Sequence, residues 1–217
     1  MTAAKSGALR VAATGLGLAA LAALALASAP ALAANVTVTV TNAAGQPLAD
    51  AVVYAEPASG PQMAKGLAKA EIEQKARKFA PLVSVVQTGA EVSFPNNDTV
   101  RHHVYSFSAP KQFDIKLYSG VPGKPVTFDK PGTVVIGCNI HDQMVAYVHI
   151  VGTPYFGKTD AAGTIKLEGL SNGKYQLKAW HYGLPAGAAP GEQAFTASAA
   201  ESNASFSLNT RATPVAN

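Results

Sequence analysis

One cysteine in 217 residues excludes a disulfide framework within the chain. Charged residues are also few, at 14%. Lys and Arg number 17 against 13 Asp and Glu, and no basic run occurs beyond the first residues, so nucleic-acid binding has no electrostatic footprint. No Gly-x-Ser-x-Gly turn surrounds Ser106, and no glycine loop able to cradle phosphates follows residue 33. Ser106, His102 and Asp98 lie near one another in sequence without that context, so hydrolytic and nucleotide chemistry are not indicated. What the chain has in quantity is glycine (19) and proline (14), with few strong helix formers after its start. Such a composition predicts many turns and short strands.

The one long apolar run is N-terminal. Lys5 and Arg10 form a positive region, Val11 to Ala27 an apolar stretch, and Ala31-Leu32-Ala33 a small-residue cleavage site. The stretch is about long enough to serve instead as a membrane anchor, but its Gly, Ser and Pro content and the A-x-A site favour cleavage. Residues 1–33 are therefore expected to be a signal peptide, and the mature protein to be exported, periplasmic and without a membrane span. In an oxidising compartment a lone thiol invites pairing or oxidation. Cys138 must be buried and inert, joined to another chain, or held as a metal thiolate.

The remaining chain alternates as half-buried strands do. Val36 to Val40 has period two, and a turn at Asn42–Pro47 leads to Ala51–Tyr54. Residues 57–69 read as a connection and Glu71–Phe79 as an irregular edge strand. Short β-branched or aromatic runs follow at 82–87, 91–94, 101–107, 126–128, 133–138 and 144–151, then at 164–167, 175–181, 194–197 and 204–208. The predicted class is all-β, built as sandwiches.

The chemistry concentrates in Gly137-Cys138-Asn139-Ile140-His141-Asp142-Gln143-Met144, a loop between two apolar strands. Upstream, Asn96-Asn97-Asp98 precedes Arg101-His102-His103-Val104 at the start of another strand. Strand ends of a sandwich can converge. Two imidazoles and a thiolate in a plane, with a distant thioether, make a blue-copper arrangement, in which soft sulfur favours Cu(I) and imidazole accepts both oxidation states. Structural zinc rarely recruits methionine and takes four strong ligands. Copper is the better match. Alternation does not separate His102 from His103, since either parity is a plausible inward face.

Cys138-x2-His141-x2-Met144, with an upstream His followed two residues later by Val, resembles the copper signature of the cupredoxins. Its ligand steps are similar to those of amicyanin-type members. The resemblance runs from Ile72 to Gly152 and includes Phe79-x-Pro81 and Val92-x-Phe94-x-Asn96. It implies one type 1 copper held by His102, Cys138 and His141, with Met144 axial. An Asn follows the first histidine in many cupredoxins, and here His103 stands in that place. A second resemblance flanks the first. Val38-x-Val40-x-Asn42-x2-Gly45-x-Pro47 and Leu167-x2-Leu170-x2-Gly173-x-Tyr175 are similar to carboxypeptidase regulatory-like (transthyretin-like, Ig-like) sandwiches. These imply a split regulatory-like β-sandwich over 34–60 plus 153–209, a Greek-key cupredoxin-like domain over 61–152, and a disordered tail over 210–217. The whole pattern also resembles exported proteins labelled methylamine utilisation or plastocyanin-like.

The resulting expectation is a one-electron carrier and not an enzyme. Its redox partner would be a protein such as a c-type cytochrome or a periplasmic dehydrogenase. Alternatives are copper delivery, or an interaction module with a structural metal. His141 is the natural electron exit, with Ile140 and Pro122 as a docking patch. Acidic and basic groups nearly balance over 72–152, so strong charge steering is not expected. His149 and His181 are expected to be structural, and Met63 incidental.

Overall fold

The computed structural model describes residues 1, 2, 33–63, 68–198 and 201–211. The expected leader lies almost wholly outside the described residues, as do residues 212–217 of the expected tail. Thr210 and Arg211 are tied down, their amides donating to the carbonyls of Leu208 and Gly183. No helix among the described residues is long and apolar enough to cross a membrane.

The protein is all-β. In chain order the strands are β1 (Ala34–Asn42), β2 (Val52–Pro57), β3 (Lys69–Glu71), β4 (Glu73–Lys75), β5 (Lys78–Ala80) and β6 (Val83–Gln87). Next come β7 (Ala90–Ser93), β8 (His102–Ser106), β9 (Phe113–Tyr118), β10 (Val126–Phe128), β11 (Gly132–Gly137) and β12 (Val145–Val151). The last are β13 (Phe156–Lys158), β14 (Thr164–Leu170), β15 (Gly173–Trp180), β16 (Gly191–Ala197) and β17 (Glu201–Leu208). They form sheets ordered β6-β12-β11-β8-β9, β10-β7-β3, β13-β2-β15-β16 and β14-β1-β17, with β4 paired to β5.

Two main cores follow from strict alternation. In the first, Val36, Val38 and Val40 of β1 pack with Val53, Leu177 and Phe206. In the second, Val134 and Ile136 of β11 and Ala146, Val148 and Ile150 of β12 meet Val92, Phe94 and Phe128 from the facing strands. Each buried Val, Ile, Leu or Phe among them contributes about 1.5–3 kcal/mol by leaving water. Strands β2 and β12 bury both faces. Val53 and Ala55 enter the first core, while Val52 and Tyr54 join Val83, Val151 and Trp180 in a third cluster on the outer side of β6 and β12. Lys158 reinforces this seam, its Nζ reaching Asp50 Oδ1 at 2.6 Å and the Val83 carbonyl at 2.8 Å.

Two differences from the sequence reading are instructive. Glu71–Phe79 is not one edge strand but three short pieces, reversing at Ala76 and Arg77, both with left-handed φ (51° and 56°). Neither residue is the Gly or Asn that such a turn favours, and the turn is held from outside by Asp98, which accepts the Arg77 amide at 2.8 Å. β9 is absent from the expected strands although Phe113-Asp114-Ile115-Lys116 alternates. Phe113 and Ile115 are only half-buried against the second core.

His149 sits in the seam. Its ring stacks on Trp180 at 4.8 Å and lies 5.4 Å from Tyr54, and Nδ1 is 3.0 Å from Thr133 Oγ1. Burial lowers its pKa from 6.5 to about 4. The unfolded chain therefore binds a proton below pH 6.5 that the folded chain refuses until about pH 4. Stability is full above the upper value and is lost as pH falls through this window. Urea unfolding should show the wild type losing up to about 3 kcal/mol more than His149→Gln between pH 7 and 4. Equal losses in the two proteins would contradict this.

Candidate metal centre

The 138–144 segment is the connection of a hairpin. Strands β11 and β12 pair in register up to Gly137 opposite Val145, so Cys138 to Met144 must turn the chain between them. Cys138 continues the inward parity of Val134 and Ile136 and is buried. The Met144 amide donates to the His141 carbonyl at 2.9 Å, closing the turn that returns the chain to β12. On the other side of β11, Tyr105 of β8 pairs with Gly137. This contact sets the start of β8 beside the hairpin loop. His102 shares the inward parity of Val104, and both are completely buried.

These placements bring three donors together. His102 Nδ1 lies 4.0 Å from Cys138 Sγ and His141 Nδ1 lies 3.8 Å from it. The three atoms are all within 4.8 Å of one another, and no other group of His, Cys, Asp and Glu among the described residues meets that condition. The imidazole rings meet edge to face at 4.9 Å. An ion about 2.3 Å from sulfur and about 2.0 Å from nitrogen separates the two by about 3.5 Å at a tetrahedral angle and by about 3.7 Å at a trigonal one. The observed 3.8 and 4.0 Å lie just beyond the wider of these values, enough for one ion between the sulfur and the two nitrogens, and the donor chemistry fits copper. Met144 is buried in the same core as Cys138 and flanks the cluster in the chain.

Of the two adjacent histidines, His102 faces the thiol. Its outer nitrogen, Nε2, is 3.0 Å from Asp98 Oδ2. Asp98 is held down to about 2, first by the hydrogen bond from His102, then by the amides of Arg77 and Thr99. His103 points to the opposite face of the sheet. There its Nε2 meets Asp114 and its ring lies 5.4 Å from Tyr105. Lys116 and then His103 lower the Asp114 pKa. Asn96 anchors the approach to β8, donating to the carbonyls of Val100 and Tyr118 at 3.0 and 2.8 Å and accepting the Asp98 amide at 3.0 Å.

The other histidines lie elsewhere. His149 is in the seam. His181 caps a turn, with Nε2 3.2 Å from the Ala49 carbonyl and Nδ1 accepting the Gly183 amide at 3.0 Å. Met63 is exposed. His141 is only half-buried, and its neighbour Ile140 is exposed, as is Val121 beside the half-buried Pro122. Sequence reading overlooked the supporting residues. Asp98 lies four positions before His102, a spacing that has meaning only once the intervening turn is known. Gly137 is also specific: a Cβ there would lie 3.0 Å from the Tyr105 ring, so the tyrosine covers the backbone just before Cys138.

No protein-family model matches the chain, and no curated protein does. Among solved structures, it is similar to a purple cupredoxin from Nitrosopumilus maritimus. That match is 21% identical, covers 38% of this chain and 99% of the other, and has a TM-score of 0.34. A copper-containing nitrite reductase from Thermus scotoductus matches at 24% identity and TM-score 0.37, over 43% of this chain and 25% of the reductase. A reduced amicyanin variant matches at 18% identity and TM-score 0.35, over 47% and 99% of the two chains.

Gly137→Ala should cost about 1–3 kcal/mol by overpacking against Tyr105. In a double-mutant cycle measured by urea unfolding, Tyr105→Ala should remove most of that cost. Strict additivity would show that the ring does not set the requirement for glycine.

Proposed function

We propose that this chain is an exported, periplasmic protein that holds a single type 1 copper and carries one electron at a time, without being an enzyme. The observation that carries the reading is a buried thiol flanked by the Nδ1 atoms of two histidines, at 4.0 and 3.8 Å. Cys138, His102 and His141 would hold the ion, with the buried Met144 thioether as a weaker fourth donor. Copper bound there would supply a one-electron couple.

The chain's own part is to hold the donors in place. His102 begins β8, Cys138 directly follows β11, and Met144 is packed in the core; the burial of all three restricts their movement. The apolar surroundings exclude water from the sulfur. His141, half-buried beside exposed Ile140, offers the edge through which a partner would couple. A c-type cytochrome or a periplasmic dehydrogenase is a partner of suitable chemistry. On this reading residues 61–152 are a cupredoxin-like domain, and 34–60 with 153–209 a regulatory-like sandwich.

A second reading, copper delivery, draws on one feature. Among the described residues the His141 ring has no anchoring hydrogen bond comparable to the Asp98 contact of His102, so one ligand is freer to exchange than the other. Reversible voltammetry favours the carrier, and transfer of the ion to an acceptor in preference to it favours delivery.

Adding Cu(II) to the purified protein should produce an intense visible band and a narrow copper hyperfine pattern in electron paramagnetic resonance. Cys138→Ser should abolish the band. A colourless, redox-silent copper-loaded protein would overturn the type 1 reading.

A further inference from the structure

Asp98 lies outside the donor set yet engages it directly. Its Oδ2 is 3.0 Å from His102 Nε2 and accepts the Arg77 amide at 2.8 Å, while Oδ1 accepts the Thr99 amide at 2.8 Å. The carboxylate side chain is 12% exposed and the imidazole beside it 0%. A histidine that offers Nδ1 as a ligand must carry its proton on Nε2. A carboxylate, which in its ionised form only accepts, selects that tautomer and fixes the plane of the ring.

The same oxygen reaches the β4–β5 turn. Ala76 and Arg77 occupy the left-handed region without being Gly or Asn, a conformation that needs support from outside the turn. Asp98 supplies it through the Arg77 amide. Asn97 adds two ties, its Nδ2 donating to Glu73 Oε1 at 2.9 Å and its amide to the Gln74 carbonyl at 2.9 Å. The hairpin and the 96–98 turn are thus fastened together around the carboxylate. Among the described residues His141 has no equivalent anchor. The pair formed by His103 and Asp114 shows that a carboxylate alone does not make a ligand: Asp114 is 46% exposed, shared with Lys116, and on the face away from Cys138.

We propose that Asp98 is the positioning residue of this centre, holding His102 in its Nε2–H tautomer with Nδ1 turned to Cys138 before any ion arrives, and coupling that ring to the β4–β5 turn. The proposal rests on the reading of His102 and Cys138 as metal ligands. It predicts a prearranged ligand on one side of the site and a freer one, His141, on the other.

The test compares the wild type with Asp98→Ala, Asp98→Asn and Cys138→Ser, using Cu(I) and Zn(II) as probes. Affinities are read by competition with a chromophoric chelator. The His102 tautomer is read in the metal-free protein by long-range proton–nitrogen correlation. The wild type should show Nε2–H. Asp98→Ala should lose that bias and bind both ions about 10–100-fold more weakly, the usual effect of removing such a partner. Asp98→Asn, which keeps an acceptor but not the charge, should fall between them. Affinity within twofold of the wild type in Asp98→Ala, or weaker binding with the tautomer unchanged, overturns the proposal. If Asp98→Ala does not fold, wild-type affinity in Asp98→Asn overturns it. If Cys138→Ser binds both ions as the wild type does, the metal-centre reading fails instead, whatever the tautomer shows.

Discussion

The antiparallel contact between β8 and β11, with Tyr105 opposite Gly137, places His102 beside a cysteine 36 residues further along the chain. The donor cluster depends on this pairing. The loop after β11 can deliver Cys138, His141 and Met144 by itself, because a hairpin connection keeps its own residues close. An imidazole from another strand requires a sheet. The glycine at the contact lets the Tyr105 ring lie on the backbone next to Cys138, so the strand order and the local composition support one another.

Burial gives that cluster its character. Cys138 and Met144 belong to the second core, among Ile136, Phe94 and Val104, and His102 is as inaccessible as they are. Polar atoms in such a place need partners. His102 has Asp98 on its outer nitrogen, which leaves the inner one facing sulfur. The result is an ordered gradient from a fixed, dry side at His102 to a half-open side at His141. On the proposed reading, the fixed side holds the donors and the half-open side faces a partner.

Much of the framework is legible as alternation. Val36 to Val40, Thr133 to Ile136 and Val145 to Ile150 each read as strands because one face is apolar, and each buries that face. Legibility fails where a strand is half-exposed or where its support comes from elsewhere. β9 stands at a sheet edge and buries only part of Phe113 and Ile115. The β4–β5 turn carries no Gly, Asn or Pro at its bend, since the carboxylate that steadies it comes from residue 98. Local rules have no access to a stabilising group 21 residues away.

The spacing of Cys138, His141 and Met144 is a property of the chain, since residues three apart on a seven-residue loop cannot be far from one another. The all-β class is likewise set by composition and period, because the apolar residues can be buried together only on strands. The choice between His102 and His103 belongs to tertiary structure. Adjacent side chains on a strand point to opposite faces, and nothing local says which face meets the 138–144 loop. The bulge and pairing of β8 against β9 and β11 decide it, turning His102 inward to Cys138 and Asp98 and leaving His103 to Asp114 on the far side.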